Sequence, residues 1–281
     1  MEIITQREDL LAWKSRSSHQ AKGITFVPTM GALHAGHISL IQLALQREGA
    51  VLSSIFINPL QFNHAGDLAA YPKTPESDLN MLRHACCDAV YMPEYNQVYP
   101  EGIAVKHFDL GELEERLEGA FRPGHFQGVA NVLYRLFMDV EPTEVVLGLK
   151  DYQQFMVVQE LGRQHFPTLR ITGAPTLREE SGLAMSSRNR RLSKAEHQQA
   201  SLVAQQLIRL QEVQRTMSFE TWKSQFLVFC QTLPSIRVEY VELAEQKTLR
   251  QLTDWPNEGK AVVLIAFYSG ATRLIDNILL A

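Results

Sequence analysis

The sequence predicts an α/β fold, a parallel sheet wound with helices, followed by a smaller α+β domain at the C-terminal side. Three observations carry this expectation. Short apolar runs alternate with amphipathic stretches through the first part of the chain, the order of repeated βαβ units. The segments richest in glycine and polar side chains follow directly on those runs, where a parallel sheet gathers its ligands. After Gly173-Ala174-Pro175 the alternation stops, and helical stretches are followed by strands, the segregated order of an α+β unit.

Taken in order, residues 24–27, 51–57 and 89–92 read as strands, with helical spacing over 38–48 and 76–87 between them. Residues 145–147 and 169–172 read as further strands flanking a helix over 151–164. Beyond the turn at 173–175, residues 194–213 and 218–232 carry amphipathic helical spacing. Residues 236–243 and 262–267 then read as strands, followed by 272–280. The division expected is a catalytic domain over 1–174 and a smaller domain over 175–281. No internal repeat, low-complexity tract or long linker interrupts either part.

Composition narrows the class. A chain of 281 residues, 45% hydrophobic, can bury a substantial core. Its net charge of −4 argues against a general nucleic-acid binder, which carries a basic face, so no nucleic-acid partner is expected. No run reaches the ~18 to 20 apolar residues that span a bilayer, so no membrane partner is expected either. The opening Met1-Glu2-Ile3-Ile4-Thr5-Gln6 lacks the basic and apolar regions of a secretory signal, and a cytoplasmic location is the expectation. Cys86 and Cys87 are adjacent and Cys230 is remote, which is neither a disulfide framework nor a zinc spacing.

The segment Pro28-Thr29-Met30-Gly31-Ala32-Leu33-His34-Ala35-Gly36-His37 joins the first predicted strand to the first predicted helix. Glycines let a backbone approach a ligand closely, and a helix N-terminus offers unpaired N–H groups and a positive dipole end. Two imidazoles at i and i+3 share one face of the first turn and can donate to phosphate oxygens. The spacing is neither that of a P-loop nor that of a dinucleotide fingerprint. A metal pair or a structural turn is the alternative, but no cysteine, third histidine or carboxylate lies nearby in sequence.

Four further segments carry chemistry. Asn58-Pro59-Leu60-Gln61-Phe62 follows the second strand and offers neutral donors and acceptors; a strand-ending turn is the plainer reading. Leu117 to Gly128 interleaves glycines and aromatics with Arg122 and His125, more turn chemistry than a mere connector needs. Gly148-Leu149-Lys150-Asp151-Tyr152-Gln153-Gln154 ends a strand and opens a helix. There Lys150 can neutralise phosphate and Asp151 can cap the helix or face a cation. Gly182-Leu183-Ala184-Met185-Ser186-Ser187-Arg188-Asn189 supplies hydroxyls and an arginine, with a helix cap as the plain alternative.

His34-Ala35-Gly36-His37 resembles the HIGH signature of nucleotidyltransferases, and Met185-Ser186-Ser187-Arg188 resembles the KMSKS-type signature that accompanies it. With Asn58 to Phe62, Tyr71 to Thr74, Leu117 to Val129 and Lys150 to Gln154 in the same order, the chain resembles the pantothenate synthetase (pantoate–β-alanine ligase) family over about residues 1–192. That resemblance implies a Rossmann-like domain, a smaller domain closing over the active site, and a homodimer. It implies ATP-dependent condensation of pantoate with β-alanine through a pantoyl adenylate, with Mg²⁺ and release of AMP and pyrophosphate. It places Met30, Gly31, Ala32, Leu33, His34, Ala35, Gly36 and His37 against ATP, with His37 as proton donor and both histidines facing the phosphates. Gly148, Leu149, Lys150 and Asp151 join them, with Lys150 on phosphate and Asp151 near the ribose or metal. Leu177 would offer its backbone to adenine, and Met185, Ser186, Ser187 and Arg188 would form a loop over the phosphates. Gln61 and Gln154 would hold pantoate with Asn58 and His125, and Asp78 is the expected metal residue.

Some positions depart from the family's usual pattern. Leu149 stands where an acidic or amide residue is common, and Ser77 where an Asp often accompanies Asp78. These departures support one rival, a silent nucleotide-binding regulator of the same fold. A nucleotidyltransferase for another acceptor is a second rival, which would need a basic site for the acceptor's phosphate.

Overall fold

The computed structural model describes all residues except 17–21, 64, 103, 214–215, 257 and 281. Six strands, β1 (Glu2–Ile4), β2 (Ile24–Thr29), β3 (Ala50–Ile55), β4 (Ala89–Tyr91), β5 (Glu144–Gly148) and β6 (Arg170–Ala174), form one sheet in the order β1-β4-β3-β2-β5-β6. Every pairing in it is parallel. Successive side chains of a strand face opposite sides of a sheet, and here both sides are covered. Phe26, Leu52, Tyr91 and Val145 pack against Leu10 and Trp13 of α1 (Arg7–Lys14), against α4 (His125–Val140), and against Val157 and Leu161 of α5 (Tyr152–His165). Val27, Val51, Val90 and Val146 pack on the other side, against Leu40, Ile41 and Ala44 of α2 (Ala35–Ala44) and Leu82 of α3 (Pro75–His84).

Strand order locates the functional crevice. From β2 the chain steps outward to β3 and β4, then returns to place β5 on the opposite side of β2. The order therefore reverses between β2 and β5, the topological switch point where open parallel sheets bind ligands beyond the strand ends. Met30 to His34 leave β2 at that end, and Gly148 closes β5 there.

A three-stranded antiparallel sheet of β7 (Ile236–Glu245), β8 (Ala261–Ser269) and β9 (Thr272–Leu280) follows α6 (Lys194–Val213) and α7 (Phe219–Gln231). Its core joins Val203 and Leu207 of α6, Trp222 and Phe226 of α7, and Val263, Ile265 and Phe267 of β8. The chain divides into two compact units, Met1–Leu149 with Gln153–Pro175, and Lys150–Tyr152 with Thr176–Ala281. The second unit begins one residue later than the expected 174/175 division, and it takes Lys150 to Tyr152, which the sequence reading gave to the first.

Other departures are local. The expected helix over 38–48 starts earlier, at Ala35, and ends at Ala44. Helix α4 is not anticipated, although Phe126, Val129, Val132, Leu133, Leu136, Phe137 and Val140 recur at helical spacing and are buried, with Gln127, Asn131 and Arg135 as its polar stripe. Helix α1 and the three-residue β1 are likewise unanticipated. Among the described residues, no helix is long and apolar enough to cross a membrane.

Candidate active site

The loop after β2 is built on two consecutive left-handed residues, Gly31 at φ 78° and Ala32 at φ 50°. Glycine adopts that conformation without penalty and alanine does not, so something must hold Ala32. Asp78 does: Oδ2 accepts from Ala32 N at 2.9 Å and Oδ1 from Leu33 N at 2.8 Å. Thr74 Oγ1 donates to Oδ1 at 3.0 Å, and Asp78 is 1% exposed. Expected as a metal residue, Asp78 is found in the first turn of α3 with its side chain turned into the loop after β2, where its two oxygens fasten the amides of Ala32 and Leu33. Ser77 is exposed beside it.

From this loop the chain enters α2 through a reciprocal histidine cap. His34 Nδ1 accepts from Gly36 N at 3.1 Å, and His37 Nδ1 accepts from His34 N at 3.3 Å. The rings lie 4.1 Å apart between centroids. An imidazole that accepts at Nδ1 carries its proton at Nε2. The cap thereby sets both tautomers, making two Nε2–H donors of known position at a helix N-terminus. Ala35 and Gly36 form the first turn of that helix.

A second network forms around Gln61. The turn Pro59–Gln61 packs against α4 at Gly128, where a Cβ would meet Leu60 O at 2.4 Å. Asn58 is fully buried, and its amide is consumed by protein groups: Oδ1 accepts from Leu60 N and Tyr99 OH, and Nδ2 donates to Gly128 O and Gln61 Oε1. The Gln61 Nε2 donates to Met30 Sδ at 2.9 Å, linking this network to the β2 loop. His125 Nδ1 lies 2.7 Å from Gln61 O, and Arg122 reaches both His125 Nε2 and Gln61 O at 3.3 Å. Asn58 and His125, expected against substrate, are thus found bracing Gln61. Sequence reasoning missed Tyr99, whose hydroxyl is driven above the ordinary tyrosine range, chiefly by burial; it stays protonated and donates.

The adjacent glutamines of α5 differ sharply. Gln153 is buried and ties the 113–118 segment through Glu118 N, Leu113 O and Arg116 O. Gln154 is half-buried in the same first turn. Gly148 ends β5 with open space where a Cβ would stand, its nearest neighbour Leu40 Cδ2 at 4.0 Å. Leu149 lies over Gly173, where a Cβ would meet its Cδ2 at 2.5 Å. An apolar residue at 149 therefore serves packing against β6.

In the second unit, Lys150 Nζ lies 3.4 Å from Asp151 Oδ1, and Asn277 Nδ2 donates to Lys150 O at 2.8 Å. The 176–192 segment is pinned from several sides. Arg178 forms a bidentate pair with Asp276 at 2.6 and 2.9 Å, and Asn189 Nδ2 donates to Glu179 Oε1 and Ala184 O. Met185 N donates to Leu177 O, so one backbone group of the residue expected against adenine already carries a backbone bond. Ser186 Oγ caps the short helix Ser187–Arg191 by accepting from Arg188 N at 3.2 Å. Three arginines crowd this turn, Arg188, Arg190 and Arg191.

The profile of a family described as Pantoate-beta-alanine ligase matches residues 2–279. The chain belongs to the pantoate–β-alanine ligase family. It is 41% identical to a Porphyromonas gingivalis pantothenate synthetase, covering 99% of both chains. It is 42% identical to that of Magnetococcus marinus, with 100% of this chain and 96% of the relative covered. A crystal structure of the Thermus thermophilus pantothenate synthetase superposes with a TM-score of 0.91 at 37% identity over 99% of both chains. A Francisella tularensis pantoate–β-alanine ligase, crystallised with a β,γ-ATP compound and β-alanine, superposes at 0.81 and 33% identity, covering 99% of this chain and 97% of that one. With this membership the reading of the chain as an amide-forming ligase of pantothenate biosynthesis stands, and so does its fold, a Rossmann-like parallel sheet followed by a small antiparallel one.

Proposed function

We propose that the protein condenses pantoate with β-alanine at the expense of ATP, through a pantoyl adenylate. The pantoate carboxylate attacks the α-phosphorus of ATP and pyrophosphate leaves; the β-alanine amine then attacks the acyl carbon, giving pantothenate and AMP. The reciprocal cap of His34 and His37 is the observation that carries this reading. Its two oriented Nε2–H groups, at a helix N-terminus beside the switch point, are placed to stabilise charge that develops on phosphate oxygens. Gly31 to Gly36 supply the close-approach backbone, with Met30 beside them. Gln61 and Gln154 orient pantoate without adding charge, while Asn58 and His125 hold Gln61. Lys150 and Arg188 are assigned to phosphate charge, Asp151 to the ribose or cation side, Leu177 to adenine, and Met185, Ser186 and Ser187 to the phosphate loop, all on the family resemblance.

Among the described residues, no group of three or more His, Cys, Asp or Glu could hold a metal alone. Mg²⁺ carried on nucleotide phosphates needs only one or two carboxylates from a protein; Asp151, with its side chain 46% exposed, is the candidate. So held, Mg²⁺ would supply neutralisation of phosphate charge. Homodimerisation belongs to this proposal through the same resemblance, and cytoplasmic residence through the sequence reading of the opening segment and the cysteines.

The test is exchange of labelled pyrophosphate into ATP with Mg²⁺ and pantoate present and β-alanine withheld. Pantoate-dependent exchange is expected. ATP binding without exchange would instead favour a silent nucleotide-binding protein or another acceptor.

A further inference from the structure

A glutamine side chain is ambiguous toward a substrate: rotated by half a turn, the same amide offers either an oxygen or an NH₂ group. In this structure the ambiguity at Gln61 is removed by a chain of hydrogen bonds that begins on backbone groups of fixed polarity. Leu60 N–H can only donate and Gly128 C=O can only accept, so the Asn58 amide has one orientation, Oδ1 toward Leu60 (3.3 Å) and Nδ2 toward Gly128 (2.9 Å). Tyr99 OH donates to the same Oδ1 at 3.1 Å and reinforces that choice. The remaining Asn58 N–H points to Gln61 Oε1 at 3.3 Å. Gln61 must therefore turn its oxygen inward to Asn58 and its nitrogen outward to Met30 Sδ. Asn58, Tyr99 and Gln61 are 0%, 8% and 7% exposed, which keeps water from competing for these bonds.

We propose that Asn58 and Tyr99 are positioning residues that fix the polarity of Gln61, so that pantoate meets an N–H donor there and is bound through an accepting oxygen. This rests on the reading of Gln61 as a pantoate contact. A pantoate carboxylate oxygen, or a hydroxyl oxygen acting as acceptor, satisfies the requirement, whereas a ligand group that can only donate is refused. The Met30 thioether suits this arrangement, because its sulfur accepts weakly and leaves the nitrogen able to bind a better acceptor.

Steady-state kinetics on the full-length protein, with pantoate and ATP each varied, test the proposal through a double-mutant cycle. Asn58→Asp keeps the shape and the acceptor but removes the donor to Gln61, freeing that amide to reverse. It should raise the pantoate KM about 10- to 100-fold, the loss of a hydrogen bond to a charged group, and leave the ATP KM unchanged. Tyr99→Phe removes one O–H and should give about a 2- to 10-fold rise in the same constant. In a Gln61→Ala background both effects should disappear, because the lock then has nothing to hold. If Asn58→Asp does not fold, the Tyr99→Phe arm decides alone. Pantoate KM values that stay flat, or rises that persist undiminished in the Gln61→Ala background, overturn the polarity lock. If Gln61→Ala itself leaves the pantoate KM unchanged, the underlying assignment of Gln61 has failed instead.

Discussion

His34 and His37 are caps before they are anything else. Each gives its Nδ1 to a backbone N–H, and that structural duty determines which nitrogen bears the proton. Removing either imidazole should therefore remove one oriented donor and loosen the other. His37→Ala is expected to lower pantoate-dependent pyrophosphate exchange by on the order of 10²–10³, and near-normal exchange would sink the role assigned to it. The two histidines were legible because a strand, two glycines and helical spacing bracket them within a few residues. The Asp78 clamp was not, since it closes across 46 residues onto backbone amides, and no local pattern marks such a contact. The cysteines give an independent residue-scale prediction. Burial pushes the Cys87 and Cys230 thiols up to about 12, and Cys86 is exposed. Because the thiolate is the reactive form, mass spectrometry after brief alkylation of the folded protein at neutral pH should find Cys86 modified and the other two intact. Labelling of Cys230 at a comparable rate would show that α7 opens readily.

At the scale of elements, helix α4 positions the Gln61 turn, and it does so through the absence of a side chain at Gly128. A methyl group there would meet Leu60 O at 2.4 Å and Gln61 Cα at 2.7 Å, both backbone or near-backbone atoms that cannot swing aside. Gly128→Ala should cost roughly 1–3 kcal/mol by overpacking and push the turn outward, raising the pantoate KM more than the ATP KM. Thermal unfolding and initial rates measured on the same variant check both halves; a Tm within a degree of the parent would mean that α4 yields. Strands β2 to β6 and the helices α6 and α7 were readable from apolar runs and helical period. Helix α4 was not, although its apolar residues recur at helical spacing, for it enters at Gly124 with φ 78°, directly after a stretch whose glycines and proline read as turn. The turn chemistry of that stretch was visible, but its contacts were not: Arg122 and His125 address Gln61 O.

Across the whole molecule, the sequence showed an alternating part and a segregated part, yet it could not show the strand order that puts β2 beside β5, since pairing between distant segments leaves no periodic trace. Glu144, the first residue of β5, shows what that pairing demands. Its side chain is 4% exposed, and it accepts from Thr172 Oγ1 at 2.6 Å, Arg47 Nε at 3.2 Å and Arg170 Nη1 at 3.1 Å. One carboxylate thus joins β5, β6 and the segment after α2. Burial alone would raise its pKa, but the hydrogen bonds from Thr172, Arg47 and Arg170 outweigh it and hold the group below the usual carboxylate range. A carboxylate depressed in the folded state contributes stability that is fully present above its unfolded value, about 4.3, and is lost as pH falls through the folded value. Glu144→Gln should accordingly lower Tm at neutral pH, where the charge is at work. The gap between variant and parent should then narrow as the pH drops below about 4.3 and the parent's own carboxylate takes up its proton. Thermal unfolding of the two proteins from pH 7 to pH 3 measures this directly, and a gap that stays constant over that range would mean the carboxylate is held by packing and not by its charge.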